Sequence, residues 1–168
     1  VQTPANPYGT VWDEATAEIL DAAQAVGVAV TDGYGLQLLL FWGGRLLDYD
    51  GGDIYVNATG ERFVNESLPW KTIADKMLDL EDRSCWVITD ACSHKGAMLG
   101  LKLINGIVFK ADSIEEMASR MHVPSPILKK TIENYNKSVD KGYDSATGKT
   151  IFSQRIEQPP FYFGKESI

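Results

Sequence analysis

The run Cys85-Trp-Val-Ile-Thr89 is strongly apolar and stops at Asp90, so it reads as a strand near the centre of a sheet. Whatever else the chain forms must supply neighbours for it. Further strand candidates are Val28-Ala-Val-Thr31, Asp53-Ile-Tyr-Val-Asn57 and Val108-Phe-Lys-Ala111. Gly35 to Trp42 is a second apolar stretch, leaning to strand. After Asn57, the turn Ala58-Thr-Gly60 and the return along Arg62-Phe-Val64 predict a β-hairpin.

Helical spacing alternates with these segments. Trp12, Ala15, Ile19, Ala22, Ala23 and Val26 predict a helix over about 13–26, closed by Gly27. Pro69 can open a helix to about Leu80, since proline is tolerated in a first turn. Ser113-Ile-Glu-Glu116 has the capping-box spacing, and that helix should reach His122. Ser125-Pro126 starts another, with Leu128, Ile132, Tyr135 and Val139 in a stripe and Gly142 at its end. Tyr143 to Lys149 is rich in turn residues, and Pro159-Pro-Phe-Tyr-Phe163 reads as an extended tail. Strands and helices mix without strict βαβ alternation, which predicts the α+β class with a short mixed sheet and several helices.

Charge and missing motifs exclude several functions. The net charge is −7, and within residues 1–60 Arg45 is the lone base among Asp13, Glu14, Glu18, Asp21, Asp32, Asp48, Asp50 and Asp53. No Lys/Arg cluster offers the charge neutralisation that nucleic acid or an anionic membrane surface requires. The longest apolar run, Leu38 to Trp42, is far short of the roughly 20 residues of a membrane span. A soluble protein is expected, with a cytoplasmic setting favoured over a periplasmic one. Cys85 and Cys92 lack companions at metal-ligand spacing, so no metal site is expected. Gly33-Tyr-Gly35 lacks the third glycine of a dinucleotide fingerprint, and no P-loop occurs. Of the two histidines, His122 reads as a dipole partner at a helix end and His94 as a loop residue.

A family signature lies in Gly52-Asp-Ile-Tyr-Val-Asn-Ala-Thr-Gly-Glu-Arg-Phe-Val-Asn-Glu66. This segment resembles the fumarate reductase/succinate dehydrogenase flavoprotein family. So does a second block: Ala111 to Ala118, Val123-Pro124, Leu128 to Asn136, Val139 to Asp144, and Pro159-Pro-Phe-Tyr162. The resemblance implies that residues 1–168 form the substrate-capping domain of a larger FAD-dependent oxidoreductase, with 1–30 near the junction to an FAD-binding domain. FAD would be bound by that other domain, and this chain alone would be inactive. The start at Val1 fits a mid-chain origin. The implied chemistry is hydride transfer at a carbon–carbon bond near a carbonyl of a small molecule.

The family places an arginine eight residues after the arginine of Arg-Phe-Val-Asn-Glu, and here that position is Trp70, followed by Lys71. Lysine does not offer a bidentate fork. An aromatic there is similar to the ketosteroid dehydrogenase branch, with a flat apolar enone as substrate. The resemblance implies substrate-binding roles for Arg45, Trp70 and Lys71, proton transfer by Tyr49, and a structural motif of Arg62, Asn65 and Glu66. On its residues alone Trp70 reads first as a core aromatic at a helix start, and Arg62 with Glu66 as an ion pair fixing the hairpin to the next helix. A non-catalytic binding or interaction module is the alternative from another class.

Overall fold

Ile54, Tyr55 and Val56 are all buried, but adjacent side chains enter two different cores, as the period of a pleated strand requires. In the computed structural model, residues 52–93 and 99–167 are described. Their strands are β1 (Ile54–Val56), β2 (Ser84–Thr89), β3 (Val108–Ala111) and β4 (Phe161–Ser167). Their helices are α1 (Trp70–Leu78), α2 (Leu99–Ile104), α3 (Ile114–Met121) and α4 (Ser125–Lys141).

The four strands form one sheet in the order β1-β2-β4-β3. Every pairing among the described residues is antiparallel, where a mixed sheet was expected. β2 is internal, with Ile88 opposite Ile54 on one side and Phe163 on the other. The extended tail becomes β4, the second internal strand: Gly164 lies between Val87 of β2 and Val108 of β3. The predicted hairpin is reduced to a single bridge, Val56 to Arg62. β1 takes its ladder from β2 instead, because an apolar strand gains more from an internal neighbour than from the polar return 57–62.

One sheet face packs Ile54, Val56, Ile88, Phe161 and Phe163 against Met117, Met121, Leu128, Ile132 and Tyr135 of α3 and α4. The other packs Tyr55, Cys85, Val87 and Val108 against Ile73 and Met77 of α1, with Leu99 and Leu103 of α2 alongside. An antiparallel sheet with helices on both faces is compatible with the α+β class.

Local signals set the helix ends. The Ser113 hydroxyl accepts the Glu116 amide at 3.1 Å, while Glu116 takes the Asp112 amide at 2.9 Å rather than that of Ser113. α3 ends at His122 and α4 at Gly142, both in the left-handed conformation, with φ of 57° and 69°. α2 was not foreseen from the sequence. The expected helix 13–26 and the stretches 28–31 and 35–42 lie outside the described residues.

Candidate functional site

The return from β1 brings the signature residues Arg62 and Glu66 together four positions apart. The Asn57 carboxamide first shapes the turn by accepting the amides of Thr59 at 3.1 Å and Glu61 at 3.0 Å. Arg62 then grips Glu66 with two parallel bonds, Nε to Oε1 at 2.7 Å and Nη2 to Oε2 at 2.8 Å. The third guanidinium nitrogen, Nη1, reaches Asp144 Oδ2 at 2.7 Å. Glu66 also accepts the Tyr55 amide at 3.3 Å, tying the motif to β1. Asn65 accepts the Ser67 amide at 2.9 Å and so stabilises the step toward α1.

The segment after α4 completes this cluster. Lys149 Nζ lies 3.0 Å from Glu66 Oε2, and both side chains are fully buried. Asp144 accepts the Thr147 hydroxyl at 2.6 Å and the Ala146 amide at 3.1 Å. Tyr135 lies beneath both cations, its ring centre 5.1 Å from the Arg62 guanidinium and 5.6 Å from Lys149 Nζ. Two cations and two carboxylates thus share one buried cluster.

Burial alone would lower the Arg62 pKa, but its bonds and attraction to Glu66 and Asp144 outweigh that and the net shift is upward. For Asp144, burial pushes upward while Thr147, the Ala146 amide and Arg62 together pull the carboxyl below its usual range. Burial, then the nearby Glu66 charge, raise the Tyr135 phenol. These shifts favour the charged forms of Arg62 and Asp144 and the neutral form of the Tyr135 phenol.

A second polar knot closes the end of β2. Asp90, fully buried, accepts Gln154 Nε2 at 2.7 Å and the amides of Cys92, Glu157 and Gln158 at 2.9 to 3.0 Å. Beside it, the Thr89 hydroxyl donates to the Gly52 carbonyl at 2.8 Å. A methyl group on Gly52 would come within 2.8 Å of Ser153 Oγ and 3.3 Å of Ser93 Cβ, so a side chain here would have to displace the Ser153 hydroxyl.

Of the expected substrate residues, Trp70 opens α1, and Lys71 is exposed and paired with Asp75 at 3.0 Å. Tyr49, Arg45 and His94 lie outside the described residues. Sequence reading missed Lys149, Asp144, Asp90 and Gln154. Only the turn pattern around Asp144 could have marked one of them; the others gain meaning from partners some 64 to 83 residues away.

The described residues do not fit the pyrophosphate of FAD. That group favours a glycine turn leading from a strand into a helix N-terminus. Among the described residues, the short turn of this kind, Asp112-Ser113 between β3 and α3, has no glycine. It places Glu115 and Glu116 in the first helical turn, where they would repel phosphate. Among the described residues no His/Cys/Asp/Glu group is arranged to hold a metal ion, and no helix is long and apolar enough to cross a membrane.

Residues 16–166 match the family model described as an FAD binding domain. A 115-residue stretch, 65% of the chain, is 30% identical to an NADH:acrylate oxidoreductase of Vibrio harveyi but covers 11% of that protein. A probable fumarate reductase of Shewanella frigidimarina is 28% identical over 66% of the chain and 19% of its own length. The chain therefore spans between a tenth and a fifth of these relatives. In structure, the open conformation of a flavocytochrome c3 fumarate reductase matches 70% of the chain and 21% of its own, with a TM-score of 0.58 and 27% identity. A fumarate reductase flavoprotein subunit chain from Lactobacillus plantarum, solved by NMR, shares the fold with a TM-score of 0.57 at 21% identity. That match takes in 76% of this chain and 89% of the solved one, so the fold occurs in a chain of about this size. The chain belongs to the FAD-binding flavoprotein family that contains the fumarate reductases.

Proposed function

We propose that this chain is the substrate-capping part of a larger FAD-dependent oxidoreductase and is inactive alone, with FAD held by a separate FAD-binding domain of the same protein. The observation that carries the reading is a family match over residues 16–166 combined with an antiparallel unit that lacks a pyrophosphate cradle in its described residues. Relatives named for acrylate, fumarate and 3-oxosteroids support a substrate whose carbon–carbon bond is conjugated with a carbonyl.

Within that class, a neutral enone or a monoacid is favoured over a dicarboxylate. A dicarboxylate needs two cationic clamps, and Arg62 has its donors committed to Glu66 and Asp144. Lys71 is solvated on the α1 surface, and Trp70 stands at the position where an arginine would be needed. In this reading Trp70 supplies an apolar wall, Arg45 flanks the substrate, and Tyr49 handles the proton. The test is a steady-state assay of the full-length protein against acrylate-type acids, fumarate and 3-oxosteroid enones. Turnover of an enone or monoacid well above fumarate supports the reading, and a preference for fumarate contradicts it.

A further inference from the structure

Lys149 is the least expected residue in the described core: a lysine at 0% exposure, in an irregular segment, far in sequence from its partner. Its ammonium meets Glu66 Oε2 at 3.0 Å and approaches the Asp53 carbonyl at 3.5 Å, with the Tyr135 and Phe152 rings 5.6 and 5.8 Å away. Glu66 passes the contact to Arg62, and Arg62 to Asp144. The Asp144 amide then donates to the Lys149 carbonyl at 2.9 Å, closing a ring. The ring joins two segments, 62–68 and 144–154, which are also linked by two weaker contacts, Ser67 Oγ to the Ile151 carbonyl at 3.4 Å and Arg62 Nη2 to Thr147 Oγ1 at 3.4 Å.

We propose that Lys149, Glu66, Arg62 and Asp144 form a charge-balanced internal latch that makes segments 62–68 and 144–154 open and close as one unit. Four buried charges in alternating order cancel, and each is held by at least one partner of opposite sign. Removing Lys149 alone leaves two carboxylates against one guanidinium among buried side chains, which is the costly way to disturb a buried pair. Neutralising Glu66 as well restores parity, because Arg62 and Asp144 remain matched. This stands independently of the capping assignment, since it concerns contacts within the chain itself.

The test is amide hydrogen exchange by NMR on the full chain and on three variants, Lys149→Met, Glu66→Gln and the double variant. The reporters are the Leu68 amide, bonded to the Asn65 carbonyl, and the Gly148 amide, bonded to the Asp144 carbonyl. The latch predicts that Lys149→Met speeds both amides together, on the order of a hundredfold, and that the double variant exchanges more slowly than either single one. Acceleration of Gly148 with Leu68 unchanged would overturn it, as would a double variant no better protected than the singles. Should Lys149→Met fail to fold, recovery of native far-UV circular dichroism in the double variant supports the latch, and failure to recover overturns it.

Discussion

Gln154 Nε2 donates to Asp90 Oδ1 at 2.7 Å, joining the end of β2 to the segment that leads into β4. With the Glu157 and Gln158 amides on its other oxygen, Asp90 fixes where the chain turns before it enters the sheet centre.

Truncating that carboxylate strands several buried donors at once. Asp90→Ala is expected to cost about 3 kcal/mol in urea unfolding, and Asp90→Asn about half that, because one acceptor oxygen survives. A loss below about 1 kcal/mol for Asp90→Ala would mean that water replaces the knot.

Alkaline stability should fall in two steps. Burial, then the charges of Glu166 and Asp82, raise the Cys85 thiol, and burial raises the Tyr135 phenol. For both groups the folded value lies above the unfolded one, so their contribution is complete at low pH and is lost as pH rises. The loss begins near the ordinary thiol value of about 8.5 and is joined by the phenol near about 10. Each group adds a slope of up to about 1.4 kcal/mol per pH unit. Cys85→Ala should flatten the first step and leave the second. An unchanged profile between pH 9 and 10 in that variant would show that the thiol does not contribute.

The two thiols should differ in reactivity. Cys92 is exposed and Cys85 is buried beside Met77. A thiol reagent should label one cysteine at once and the other only through unfolding, on the order of a thousandfold slower or more. Mass spectrometry assigns the fast site, and rapid labelling at Cys85 would contradict the packing of β2 against α1.

Helix ends offer a local check. Ser113→Ala removes the hydroxyl that accepts the Glu116 amide, and Gly142→Ala forces a side chain into a φ of 69°. Each should lower stability by about 1 kcal/mol. Thermal unfolding of both variants measures this, and no loss in either would mean that tertiary packing, not the caps, sets the boundaries.

These ends were legible in the sequence because their causes lie within a few residues. Val108–Ala111 and the course of α4 were legible for the same reason. The internal place of β4 was not. Phe161-Tyr-Phe163 reads as extended, but pairing of Tyr162 and Phe163 with Thr89 and Ile88 depends on chain closure over about 75 residues. The hairpin expectation failed likewise: Ile54 to Val56 found a better partner in β2 than in its sequence neighbour. At the candidate site, Arg62 and Glu66 stood out through the signature, whereas Lys149 carries no local mark that it is buried. A lysine is ordinarily a surface residue, and only the carboxylate 83 positions earlier makes its burial tolerable.

The central claim is that this chain covers a flavin-bound substrate without itself holding the flavin. Titrating the 168-residue chain with FAD and following flavin absorbance and fluorescence tests it most directly. The account predicts no stoichiometric uptake at micromolar concentrations and unperturbed flavin spectra. One FAD bound per chain, with a shifted absorbance band and quenched fluorescence, would contradict it.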